Sequence, residues 1–98
     1  SKWVKTSQIS KKLFISVDMH SNRISDQESL LDFANEVMGK YTQELDLRRC
    51  DMRADFVEIL YLVSFNDEES LSKIISEIKK IHPSAGVTFL DQNNLPGL

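Results

Sequence analysis

The apolar residues of this chain switch repeatedly between a two-residue and a 3.6-residue period, and the order of those switches restricts the fold more than any single motif. Leu13, Ile15, Val17 and Met19 alternate with Phe14, Ser16, Asp18 and His20, which predicts a strand. A polar stretch at residues 20–23 reads as a loop. Ser25 with Glu28 three residues on has the form of a capping box. Leu30, Phe33, Ala34, Val37, Met38 and Tyr41 then follow helical spacing, so a helix is expected from about Asp26 to somewhere between Met38 and Tyr41, with Gly39 marking its end. Residues 44–52 return to the two-residue period but carry Arg48, Arg49 and Asp51, as an edge strand does. Residues 56–65 are ten positions rich in branched and aromatic side chains, the strongest strand signal in the chain.

A second N-cap follows at residues 66–69, where three acids complement a helix dipole. Leu71, Ile74, Ile75, Ile78 and Ile81 form its apolar stripe, and the His82-Pro83 step stops the helix. Gly86 precedes a last short strand at residues 87–90. The order is β-α-β-β-α-β, the split βαβ or ferredoxin-like arrangement. Right-handed crossovers place the first and third strands in the centre of a four-stranded antiparallel sheet, with both helices on one face. The fold class is therefore α+β, with residues 1–10 an arm or linker, 11–91 the domain and 92–98 a tail.

Alternation also assigns the faces. Val57, Ile59, Tyr61, Val63 and Phe65 carry no charge and belong beneath the helices with Leu13, Ile15 and Val17. Phe56, Glu58, Leu60, Leu62 and Ser64 fall on the other face, as does Phe14 on the neighbouring strand. A few exposed apolar side chains are ordinary, but Phe14, Leu60 and Leu62 clustered on an uncovered face form a patch of the kind that marks contact surfaces. We expect self-association, or contact with another part of a larger protein, through these three residues.

Composition excludes several classes. The 98 residues hold 12 Lys+Arg against 15 Asp+Glu, for a net charge of −3, with 41% hydrophobic residues. That is one domain with enough apolar content to order itself, without the basic excess of a nucleic-acid module. One cysteine, Cys50, allows neither an internal disulfide nor a Cys-based metal site and fits a reducing compartment. No apolar run is long enough to span a bilayer. The charge is unevenly placed: Lys2, Lys5, Lys11 and Lys12 lie in the first 12 positions, which contain no acid, so residues 1–12 carry +4 and the rest of the chain −7. A basic segment containing Trp3 fits the cytoplasmic boundary of a membrane helix, and equally a plain terminal arm. The chain starts at Ser1 rather than Met, as expected of a piece of a longer protein.

Chemistry-bearing residues are sparse. Asp18, His20, Asp26 and Glu28 fall around the first loop and have the composition of an acid–base set or a divalent-metal site, without any HxH or HExxH spacing to back it. His82 at a helix end suits dipole capping. Cys50 has Arg48, Arg49 and Arg53 near it in sequence, but alternation turns Arg49 to the opposite face, and a structural thiol is expected. No serine sits in a GxSxG context and no Gly-rich phosphate loop is present. We expect neither an enzyme nor a cofactor.

The order of elements, with VDMHSNRISDQESLLDFANEVM leading into YTQELDLRRC and then FVEILYLVSFNDEESLSKIISEIKKI, resembles ACT-like regulatory domains, in particular the cytosolic C-terminal domain of MgtC-type and related bacterial inner-membrane proteins. The likeness covers roughly residues 11–91 and rests on patterns rather than fixed residues. It implies a regulatory domain on the cytoplasmic side of the inner membrane, attached to a membrane domain and homo-oligomeric through its sheet, with no nucleic-acid partner. It also implies an alternative, sensing of a small-molecule metabolite at the first loop or at a dimer interface. Asp18, His20, Asn22 and Arg23 would then form the ligand site. This loop lacks the Gly that ligand-binding ACT domains commonly place there.

Overall fold

The structure is a computed structural model that describes residues 11–21 and 24–91. Strand β1 (Lys11–His20) leads to helix α1 (Ile24–Tyr41), then strands β2 (Glu44–Met52) and β3 (Phe56–Phe65), helix α2 (Glu69–Ile81) and strand β4 (Gly86–Asp91). The sheet order is β2-β3-β1-β4, with every neighbouring pair antiparallel. This is the ferredoxin-like topology expected from the periodicity, with β1 and β3 central. The basic arm, the tail, Asn22 and Arg23 lie outside the described residues.

The alternation on β1 and β3 decides which face the helices cover. Ile15, Val17 and Met19 pack with Val57, Ile59, Tyr61, Val63 and Phe65, and all are buried beneath Leu30, Ala34, Val37 and Met38 of α1 and Ile74 and Ile78 of α2. Full burial of each such side chain contributes on the order of 1.5–3 kcal/mol. The one polar tip in this layer is satisfied: Tyr61 donates its hydroxyl to Asn35 Oδ1 at 2.6 Å, and burial holds its phenol well above the usual tyrosine range.

The helix ends depart from expectation in instructive ways. Helix α1 starts at Ile24, so Ser25 already lies in its first turn rather than at the cap, and its carbonyl accepts from Ser29 Oγ at 3.3 Å. Gly39 is helical and the helix reaches Tyr41, the far limit of the expected range. The last turn is held from outside. Lys40 Nζ donates to Glu77 Oε1 of α2 at 2.6 Å, and the Tyr41 hydroxyl donates to Glu77 Oε2. At the start of α2 the cap position is Glu68, which makes no side-chain cap hydrogen bond, and Asp67 Oδ1 accepts from the Ser70 backbone N–H at 3.0 Å instead. At its other end the His82 backbone N–H donates to Ile78 O at 2.8 Å, and the His82 ring stands edge-on to Phe33 with centroids 5.4 Å apart.

Hydrogen bonds from Lys40 and then Tyr41 pull the Glu77 carboxyl below its ordinary value of 4.5. A group whose folded pKa is depressed contributes stability above its unfolded pKa and loses it as pH falls through the folded one. Glu77→Gln is therefore expected to lower the melting temperature at neutral pH. The gap to the parent chain should close as pH falls below 4.5, read by far-UV circular dichroism. A gap of constant size across that range would contradict the assignment.

Candidate functional site

The sheet face away from the helices is built by strand register alone. Phe14 lies between Leu62 of β3 and Leu90 of β4, Ser16 between Leu60 and Thr88, and Asp18 between Glu58 and Gly86. A β-bulge on β2 between Leu47 and Arg49 sets the register of the outer strand. It brings Arg49 opposite Leu60 and Asp51 opposite Glu58. The result is an apolar row of Phe14, Leu60, Leu62 and Leu90 bordered by a row of three carboxylates, Asp51, Glu58 and Asp18. Leu60, Leu62 and Leu90 are half-buried. Phe14 is 7% exposed, so the third member of the expected exposed patch is itself buried. A shallow concavity of about 290 Å³ lies over this face, lined by Ser16, Arg49, Asp51, Glu58, Leu60 and Leu90.

Charges on this face are largely engaged within it. Arg49 Nε donates to Asp51 Oδ2 at 2.9 Å, and Arg48 reaches Asp46 Oδ2 at 3.0 Å. Arg53 lies 4.0 Å from Glu58 and stacks over the Phe56 ring at 5.2 Å. Asp18 packs down onto Gly86, where a Cβ would come within 2.8 Å of Asp18 Oδ1. A side chain at this position would require the Asp18 carboxylate to shift.

The residues proposed from the first loop do not converge. Asp18 and His20 lie on the open face, with the exposed His20 ring 5.9 Å from Phe56. Asp26 and Glu28 are exposed on α1, on the opposite side of the sheet. Among the described residues no group of three or more His, Cys, Asp or Glu is placed to hold a metal ion. These four side chains are not brought to one acid–base or metal site: β1 and α1 pack face to face and send them in opposite directions. Cys50 is half-buried against the core, and burial first and the Asp51 charge second push its thiol up. Arg48 and Arg49 are taken by carboxylates, so neither activates it.

What fixes the first loop is a residue that the capping-box pattern concealed. Gln27 is 1% exposed. Its Nε2 donates to Ser21 O at 3.3 Å and to Arg53 O. The Ser21 backbone N–H donates in turn to Asp55 O at 2.8 Å. One buried amide therefore ties the β1–α1 loop to the β2–β3 turn. Beside this tie a cleft of about 420 Å³ opens between α1 and the end of α2, lined by Ser21, Asp26, Leu30, Phe33, Ile81 and His82.

No protein-family model and no curated protein sequence matches the chain. Solved structures do resemble it. The de novo designed protein Foldit4 has a TM-score of 0.53 at 17% identity, over 81% of this chain and 93% of the design. A protein from methicillin-resistant Staphylococcus aureus that carries an aminohydrolase name has a TM-score of 0.55 at 13% identity. That match covers 84% of this chain but 30% of the other, so the chain spans under a third of that protein. A dimeric ferredoxin-like protein from an uncultured marine organism has a TM-score of 0.45 at 12% identity, over 82% and 90% of the two chains. At such identities the likeness concerns the fold alone, and this chain has the ferredoxin-like fold. A designed sequence sharing that fold underlines that function must be argued from the site.

Replacing Gln27 with leucine leaves the Ser21 and Arg53 carbonyls without their shared donor. A typical intramolecular hydrogen bond contributes roughly 0.5–1.5 kcal/mol. Urea denaturation of Gln27→Leu should show a loss of that order, and an unchanged midpoint would remove Gln27 from its role.

Proposed function

We propose that this chain is a regulatory interaction domain, ACT-like in kind, that acts by self-association through the open face of its sheet. The observation that carries the reading is the apolar row of Leu60, Leu62 and Leu90 beside Phe14 on a face that neither helix covers. Both helices are committed to the opposite face, and that commitment makes a second use of the sheet geometrically free. In this reading the domain belongs to a larger bacterial protein of the MgtC-type membrane class, on the cytoplasmic side of the inner membrane. Pairing of the sheets restrains the attached membrane part, and no covalent chemistry is involved.

The β2 edge supports a face contact over pairing through that edge. On β2 the bulge interrupts the register, and Asp46, Arg48, Arg49 and Asp51 place charge along the outer strand. Charge and bulges are the devices that blunt edge-to-edge pairing. The metabolite-sensing alternative draws on the 420 Å³ cleft beside Ser21 and Asp26. Asp18 and His20 lie on the open face and do not line that cleft, while Asn22 and Arg23 lie outside the described residues.

The test is molar mass in solution. The parent chain should exceed the mass of one copy and should return to it on dilution. Leu60→Lys and Leu62→Lys each bury a charge in the proposed contact and should give a single-copy mass at concentrations where the parent associates, with circular dichroism unchanged. A parent chain of single-copy mass at every concentration, or variants that associate like the parent, would overturn the proposal.

A further inference from the structure

Phe14 is the most deeply buried of the large apolar side chains on the open face. Phe14, Leu60 and Leu62 share one face, and no described helix or strand lies over it, yet Phe14 is 7% exposed while Leu60 and Leu62 remain half-buried. The difference is local to one end of the sheet. Leu13 pairs with Asp91 there, so both ends of the described chain, Lys11 and Asp91, leave the sheet beside Phe14. Residues 1–10 and 92–98 thus both start within reach of this face.

Charge distinguishes the two. The tail, QNNLPGL, has no basic side chain, whereas the arm holds Lys2 and Lys5 and no acid. The open face holds Glu44 and Asp18, neither of which has an ion-pair partner among the described residues. Asp18 also stands directly across from Glu58, a like-charge cross-strand pair in which Arg53 lies 4.0 Å from Glu58 and Asp18 has no such partner among the described residues. The eight residues from Trp3 to Lys11 reach up to about 27 Å, well beyond the short separation of Lys11 from Phe14 on β1, so the arm can double back and lay Trp3 over that residue. Trp3, Val4 and Ile9 supply apolar side chains between the lysines.

We propose that the basic arm, residues 1–10, docks in cis across the open face, with Trp3 against the apolar row of Phe14, Leu62 and Leu90 and its lysines toward the carboxylate row. The inference rests on the reading of this face as a contact surface. It makes the arm and a second copy competitors for one site.

Trp3 is the single tryptophan, so its fluorescence reports the docking directly. The full chain is studied at a dilution where its mass is that of one copy, which separates this test from that of self-association. The native chain should emit to the blue of the urea-unfolded chain and resist iodide quenching. Leu62→Lys should move the emission to that of the solvated indole with circular dichroism unchanged, and the pair Lys2→Glu/Lys5→Glu should do the same without touching the folded core. Leu95→Ser/Leu98→Ser in the tail should leave the emission where it was. Native emission equal to that of the unfolded chain would overturn the inference. So would emission that ignores both the Leu62 and the lysine variants, that follows the tail variants, or that moves to the red on dilution in step with mass.

Discussion

Ile15, Val17 and Met19 of β1 lie against Val57, Ile59 and Tyr61 of β3 beneath both helices, and this one-sided burial of the central strand pair determines the rest of the molecule. Because side chains alternate with a period of two, every residue fixed inward fixes its neighbours outward. A slip of one position would put Asp18 and Glu58 under the helices. The register is therefore held by the cost of burying charge as well as by the gain from burying branched chains. The open face, with its apolar row and its carboxylate row, is the necessary complement of the core.

The elements were legible because the signals were long and unmixed. Residues 56–65 read as a strand with bounds that match β3, and the charged residues 44–52 read correctly as an edge. The stop at His82-Pro83 was equally plain, since proline cannot continue the ladder. The missed features are those that depend on contacts distant in sequence. Gly39 stays helical because Glu77, 36 residues from Tyr41, holds the last turn. Gln27 looked like filler inside a capping box, but its buried amide joins two loops.

The candidate site was legible in part for the same reason. Alternation put Phe14, Leu60 and Leu62 on one face, and the strand register keeps them there. Leu90 was recoverable too, once β4 is paired with β1 and Leu90 falls opposite Phe14. Nothing in local pattern shows that Phe14 is itself buried, because burial depends on what lies above a face rather than on period. The first-loop cluster failed for a geometric reason. Asp18 and His20 belong to a strand whose even positions point away from α1, so closeness in sequence to Asp26 and Glu28 gave no closeness in space.

The central claim is that the uncovered face of the sheet is the working surface of this domain. The most direct measurement is a dilution series of amide proton–nitrogen spectra of the full chain. The account predicts concentration-dependent shifts confined to the open-face positions of the sheet, Phe14, Ser16, Leu60, Leu62 and Leu90, with α1 and α2 unmoved. Shifts that map to the helices or to the outer edge of β2, or spectra that do not change with concentration, would contradict it.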